Sequence, residues 1–368
     1  MKIKELIAYL ESAVPSAMQE SWDNSGMQVG NPDSTVDSAL LCLDVTDAVI
    51  SEAEDKACGL IISHHPLIFK PLSSISGRTG AERIIYRAIK KDISIFSMHT
   101  NLDIINGGVS YRMAEMMKLK NISVLSPLAG RLLKLVVFVP PSHAEKLRDA
   151  IFKAGAGHIG NYDRCSYNLS GEGTYRAGEG TDPYAGEAGK DHKEQEVRIE
   201  TVMPENAVSR VVKAMTESHP YEEVAYDIYR IENTMPGAGL GCKGELEQGM
   251  KDTDFVRMLA ELFGAKGIRH TALDGKKVKK VAVMGGSGGS YIQKAVRAGV
   301  DAFVTADIKY HSFFEAGDVL LADIGHYESE KPALEILHEL ITKKFPKFAV
   351  RFSETNTNPV NYLQAWKK

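Results

Sequence analysis

The chain has 368 residues, 43% hydrophobic and 25% charged, enough for two or three domains with substantial cores and far from a disordered profile. Its formal net charge of -4 gives no electrostatic footprint for nucleic acid, which rests on clustered Lys and Arg. The short run Lys276-Lys277-Val278-Lys279-Lys280 reads as a solvated loop before a strand, so direct nucleic-acid binding is not expected. Four scattered cysteines with no C-x-x-C pair exclude a disulfide framework and a zinc finger. No run approaches the ~20 apolar residues that span a bilayer, and Met1-Lys2-Ile3-Lys4 enters an amphipathic helix with no signal-peptide h-region. A cytoplasmic protein with no membrane partner is expected.

In chain order, Ile3 to Leu10 places apolar residues at helical spacing, and Ser21-Trp22-Asp23-Asn24-Ser25-Gly26 reads as a polar loop with one large aromatic. From Ala39 the pattern alternates: strand 40–43, helix 48–57, strand 60–62, helix 82–90, strand 93–96 and helix 109–117. Such alternation predicts a largely parallel sheet covered on both faces.

Near Ser126 the style changes. Leu133 to Val139 is a strongly apolar strand closed by Pro140-Pro141, with a helix over 144–153. The same order recurs as strand 196–202, Pro204, helix 207–215 and strand 224–231. The repeat predicts a ferredoxin-like α+β module. Between its halves, the tract Gly171-Glu172-Gly173-Thr174-Tyr175-Arg176-Ala177-Gly178-Glu179-Gly180 matches no phosphate or dinucleotide fingerprint and reads as a flexible hairpin or disordered loop.

After Gly241 the α/β rhythm resumes. It runs through helix 255–263, strand 279–284, the turn Gly285-Gly286-Ser287-Gly288-Gly289-Ser290, helix 291–298, strands 302–305 and 319–322, and helix 331–340. The outer segments share one style. The expected fold class is therefore α/β: a discontinuous domain, 1–125 and 237–368, with the ferredoxin-like module inserted at 126–236.

Three apolar strands end in His- and Asp-rich turns, and ligand sites in open α/β sheets collect outside the carboxyl ends of strands. Leu60-Ile61-Ile62 leads into Ser63-His64-His65-Pro66-Leu67. Neighbouring side chains on a strand point to opposite faces, so both imidazoles serve one site only where the chain leaves the strand, as Pro66 forces it to do. The strand over 94–98 leads to His99 and Asp103. The strand over 319–322 leads to His326 and Glu330, whose i,i+4 spacing puts both on one face of a helix begun there.

Imidazoles with carboxylates suit zinc or ferrous iron, whereas magnesium and calcium prefer oxygen alone. His64, His65, Asp103, His326 and Glu330 exceed the three protein ligands of a mononuclear catalytic zinc, and a dinuclear site bridged by Asp103 would use them all. His99 reads either as a partner orienting a ligand or as a satisfied core histidine. Asp44, Asp307 and His311 read as pocket-lining groups, with helix capping the alternative for the acids. Gly285 to Gly289 is either an anion cradle or a tight turn.

The segments Trp22-Asp23-Asn24-Ser25-Gly26, Ser63-His64-His65-Pro66-Leu67, His99-Thr100-Asn101-Leu102-Asp103 and Gly325-His326-Tyr327-Glu328-Ser329-Glu330, in this order, resemble the NIF-three-like family. Its members carry the name GTP cyclohydrolase 1 type 2 homologue. The middle module resembles the PII/CutA-like insertion of the longer bacterial members. This resemblance implies two divalent metal ions per subunit on His64, His65, Asp103, His326 and Glu330, with zinc the first expectation and iron or manganese the next. It also implies a homohexameric ring with the metal sites facing an internal cavity. The implied activity is that of a metal-dependent hydrolase acting on an unidentified, nucleotide-like small molecule. The alternative is a non-enzymatic metal-binding or regulatory protein whose inserted module senses a ligand.

Overall fold

Short apolar runs bounded by polar turns form the strands of this computed structural model, which describes residues 1–363. The chain opens with α1 (Ile3–Ala13), β1 (Gly26–Val29), β2 (Ser38–Cys42), α2 (Asp47–Asp55), β3 (Leu60–Ser63) and α3 (Gly80–Lys90). It continues through β4 (Ser94–Ser97), α4 (Thr100–Ile104), α5 (Val109–Met116) and β5 (Lys120–Ala129). Next come β6 (Leu132–Val139), α6 (Ala144–Lys153), β7 (Tyr167–Arg176), β8 (Asp191–Pro204), α7 (Val208–Ser218) and β9 (Tyr226–Ile231). The last stretch holds β10 (Thr234–Lys251), α8 (Asp252–Phe263), β11 (Arg269–His270), β12 (Lys277–Ser287), α9 (Ile292–Arg297) and β13 (Ala302–Ala306). It ends with β14 (Leu320–Asp323), α10 (His326–Glu330), α11 (Pro332–Lys344) and β15 (Ala349–Phe352). Among the described residues no helix is long and apolar enough to cross a membrane.

One unit combines Met1–Ser126 with the chain from Gly237 onward. It contains two sheets where the alternating pattern predicts one. The first has the order β1-β4-β3-β2-β15. In it β4, β3, β2 and β15 run parallel, and β1 pairs antiparallel at the edge. The second has the order β11-β14-β13-β12-β10-β5, with β12, β13 and β14 parallel. A strand pattern fixes how many strands exist but not which of them share a ladder, and that is why the division into two was not legible.

Strands β2, β3 and β4 are buried along their whole length, as parallel strands covered on both faces must be. Leu41, Ile62 and Phe96 face one core with Leu6 and Leu10 of α1 and Leu337 of α11. Leu40, Ile61 and Ile95 face the other with Ile50 of α2 and Ile85 of α3. Both α2 and α3 start on threonine caps: Thr46 accepts from the Val49 amide and Thr79 from the Glu82 amide. The sheet is thereby held rigid from both sides, and its carboxyl edge is a firm base for side chains.

The other unit, Pro127–Pro236, carries one sheet in the order β7-β8-β6-β9 with every neighbouring pair antiparallel. Leu135, Val137 and Ile199 pack with Leu147 and Ile151 of α6 and Val211 and Met215 of α7. The glycine-rich tract is an ordered edge strand here. Residues 167–176 pair with 191–200 along ten residues, and the chain turns back over 177–190. Backbone ladder bonds supply the order that side-chain packing does not, since β7 is almost wholly exposed.

Candidate metal centre

The end of β3 sets the first two imidazoles. Beyond Ser63 the amides of His64 and His65 still bond to the carbonyls of Cys42 (3.1 Å) and Leu43 (2.9 Å), so the ladder guides the chain past the last paired residue. The Ser63 hydroxyl donates to the His65 carbonyl at 2.8 Å, which fixes the turn. His64 is fully buried, and its Nδ1 bonds to the Met98 carbonyl at 2.8 Å. A carbonyl only accepts, so Nδ1 carries the proton and Nε2 presents a lone pair. Burial pushes the His64 pKa down to about 3, which keeps the ring neutral.

His65 takes the opposite charge state. Its Nδ1 donates to Asp44 Oδ1 and its Nε2 to Glu330 Oε2, both at 2.8 Å. Burial opposes protonation, yet these hydrogen bonds carry its pKa up to about 9. Asp44 is held in turn by the Thr357 hydroxyl at 2.8 Å. His326 repeats the arrangement from α10, with Nδ1 on Asp307 Oδ2 (2.7 Å) and Nε2 on Glu330 Oε2 (2.9 Å). Burial again opposes, and the two carboxylates carry its pKa up to about 10. Burial would raise Glu330, but the hydrogen bonds from His326 and His65 hold it well below the usual carboxylate range.

Two glycines make this packing possible. Gly286 has φ +63°, and a Cβ there would stand 2.1 Å from Glu330 Oε1. Gly325 has φ +98°, and a Cβ there would stand 2.3 Å from Glu328 Oε2 as the chain enters α10. Gly285, Gly286 and Ser287 continue strand β12, and Gly286 takes its positive φ where the β12–β13 register shifts, so close backbone approach rather than a turn explains it. The Gly286 amide is occupied by the Ser329 hydroxyl at 2.9 Å.

Asp103 comes from α4, a short helix that follows the end of β4. Its Oδ1 lies 3.8 Å from His64 Nε2. Both atoms are buried and neither meets a hydrogen-bond partner. Burial and the nearby Glu330 charge raise Asp103 well above the usual carboxylate range. His99 precedes α4 and bonds through Nδ1 to Asp23 Oδ1 at 2.7 Å. Burial would raise Asp23, but His99 and the Thr100 hydroxyl and amide hold it below its ordinary value.

The five residues singled out from the sequence thus meet at one place, and His99 joins them. Two triads have their ligand atoms within 4.8 Å of one another: His64, His65 and His99, and His65, His326 and Glu330. In all four imidazoles Nδ1 is engaged by a carbonyl or carboxylate outside the cluster, and in His65 and His326 Nε2 turns inward onto Glu330. That division of labour is characteristic of metal-bound histidines. Buried polar atoms left without partners are costly, and His64 Nε2 and Asp103 Oδ1 fit a shared cation. These groups could hold a metal ion.

Asp44 and Asp307 prove to be the orienting carboxylates of His65 and His326. Their signal in the sequence was position: each follows the end of a strand neighbouring a histidine-bearing one. His311 is exposed, with its ring against Tyr310, and belongs to neither triad. The centre opens into a cleft of about 530 Å³ that Trp22, Phe69 and Tyr291 also line.

Residues 1–359 match the family model described as Duf34/NIF3 (NGG1p interacting factor 3). A Halalkalibacterium halodurans protein named GTP cyclohydrolase 1 type 2 homolog is 39% identical over 97% of this chain and 98% of its own. The crystal structure of a Bacillus cereus protein related to NIF3 superposes with a TM-score of 0.82 at 38% identity, covering 98% of this chain and 99% of that one. Staphylococcus aureus protein SA1388 follows with a TM-score of 0.78 at 33% identity, covering 99% of each chain. The four sequence segments, the gathered histidines and these matches agree, and the chain belongs to the Duf34/NIF3 family.

Proposed function

We propose that the site is a dinuclear divalent-metal centre held by His64, His65, Asp103, His326 and Glu330, and that the protein is a metal-dependent hydrolase. The observation that carries this reading is the pair of buried, partnerless atoms His64 Nε2 and Asp103 Oδ1, 3.8 Å apart beside three oriented imidazoles. A nitrogen and oxygen donor set favours zinc, iron or manganese. Such ions, when bound, supply a water acidic enough to attack near neutral pH and polarise the bond to be broken.

The chain's own contribution is positional. Asp44, Asp307 and Asp23 fix the rings of His65, His326 and His99, and Met98 fixes that of His64. Trp22, Phe69 and Tyr291 offer ring faces for a planar substrate and narrow the water around the site. Among the described residues no Lys or Arg lines the cleft. A nucleotide-like substrate would therefore be gripped by its ring, and in the metal-free protein a phosphate would meet only the imidazoles of His65 and His326 as cations there.

The same reading takes 1–125 and 237–368 as one discontinuous α/β domain and 126–236 as an inserted ferredoxin-like, PII/CutA-like module. The antiparallel order β7-β8-β6-β9, with α6 and α7 sharing one core, supports it. The four free cysteines suit a reducing, cytoplasmic setting. The homohexamer implied by the family resemblance is checked by light scattering.

The function is tested by metal analysis of protein purified without added ions, followed by a turnover screen on nucleotides, cyclic esters and phosphodiesters. The screen is run beside Asp103→Ala. Turnover that vanishes in the variant supports the hydrolase. Absence of turnover on every class, together with reversible metal exchange, replaces it with the regulatory reading.

A further inference from the structure

The sheet of the second unit has two faces of different character. Leu135, Val137 and Ile199 are fully buried against the helices, so the alternate positions Phe138, Glu196 and Arg198 face the other way. On β7, Gly171 lies opposite Glu196 and Tyr175 opposite His192, on that same outer face. A cleft of about 670 Å³ opens there, lined by Phe138, Tyr175, Tyr184, Glu196, Arg198 and Tyr221.

Three features give the cleft a chemistry. The Tyr221 ring lies 6.3 Å from that of Tyr175 and 5.7 Å from that of Tyr184, centroid to centroid, forming a continuous aromatic wall. The carboxylate of Glu196 takes a hydrogen bond from the Tyr221 hydroxyl at 3.0 Å and has no ion-pair partner among the described residues. Arg198, two residues along the same face, pairs through one terminal nitrogen with Glu200 at 2.9 Å. Its Nε is buried and meets no hydrogen-bond partner. The glycine-rich tract keeps this space open, because a Cβ at Gly173 would stand 2.3 Å from Glu196 Oε2.

We propose that this cleft binds a free α-amino acid with a large apolar or aromatic side chain. The ammonium group sits on Glu196, the carboxylate accepts from the exposed end of the Arg198 guanidinium, and the side chain lies among the tyrosine rings. An acid without an ion pair and a guanidinium paired through only one terminal nitrogen, two residues apart on one strand face, suit a ligand carrying both charges. A simple anion would meet Glu196, and a simple cation would leave Arg198 unsatisfied. The proposal is independent of the metal centre.

The test uses the full-length protein and isothermal titration calorimetry with L-phenylalanine, L-tryptophan and L-leucine. Two single-charge analogues, 2-phenylethylamine and 3-phenylpropionate, are titrated alongside. At least one amino acid is expected to bind, with each analogue about tenfold weaker or worse, because each loses a charge-assisted hydrogen bond. Glu196→Gln and Arg198→Gln are each expected to weaken binding by a similar factor. Tyr221→Phe, which keeps the ring and frees the Glu196 carboxylate to move, provides a weaker-binding variant if Glu196→Gln lowers the melting temperature. The proposal is overturned if none of the three amino acids binds, if the amine alone binds as tightly as its amino acid, or if binding survives both charge-removing substitutions.

Discussion

The Nε2 atoms of His65 and His326 lie 3.4 Å apart, and both reach the same oxygen, Oε2 of Glu330. Two protonated imidazoles so close repel each other, and a single buried carboxylate keeps them together. Were a metal ion bound by these three side chains, it would supply the positive charge that the two Nε2 protons supply here.

Glu330→Gln keeps the shape and removes that charge. The pKa values of His65 and His326, about 9 and about 10 with Glu330 present, are expected to fall toward the ordinary histidine value of roughly 6.5. NMR titration of metal-free protein reads this directly. Values that stay high in the variant would assign the shift to Asp44 and Asp307 alone.

Asp44→Asn and Asp307→Asn leave the proposed ligands intact and loosen the rings they hold. Zinc affinity, measured by competition with a chromophoric chelator, is expected to drop about 10–100-fold in each, as for other partners of metal-bound histidines. The melting temperature of the metal-free protein should change little. An unchanged affinity in both variants would contradict a role for these acids at the centre.

Gly286→Ala brings a methyl group to 2.1 Å from Glu330 Oε1 at a φ of +63°. A destabilisation of roughly 1–2 kcal/mol is expected from the left-handed backbone alone, seen in urea denaturation. Metal affinity should fall as well, since Glu330 must shift. Unaltered metal binding would mean that Glu330 is dispensable for it.

Glu52 supplies a pH signature away from the centre. Burial would raise its pKa, but Lys56, the Ser353 hydroxyl, the Glu354 amide and the Thr355 hydroxyl bring it down to about 2 from an ordinary 4.5. A depressed folded-state pKa means that the unfolded chain binds more protons in this window. Stability from this contact is therefore fully present above pH 4.5 and lost as the pH falls toward 2. The slope of unfolding free energy against pH between these limits is expected to drop by about one proton in Glu52→Gln. Equal slopes in both proteins would remove Glu52 as the anchor of the segment after β15.

Strand ends carrying His64-His65, Asp103 and His326 with Glu330 were legible because apolar runs and helical spacing are local properties. Partnerships formed across the fold were not. Asp44 and Asp307 sit on strands next to those bearing His65 and His326, and only the sheet order makes them neighbours. His99 could be settled only once Asp23, 76 residues away, took its Nδ1. The glycines of 171–180 do lie in a hairpin, but the long paired strand they belong to was not legible from them, for a physical reason. Glycine usually marks a turn, but on an edge strand it can equally make room for a neighbouring side chain, as Gly173 does for Glu196.

The hydrogen bond between His65 and Glu330 closes a separation of 265 residues along the chain. At a synthesis rate of about 5–20 residues per second, His65 leaves the ribosome roughly 13–53 s before its partner. During that interval the module between them has time to fold, while the histidine pair waits with half its site unmade. The centre is therefore completed only once Glu330 has emerged, and any metal it holds would be bound after that point.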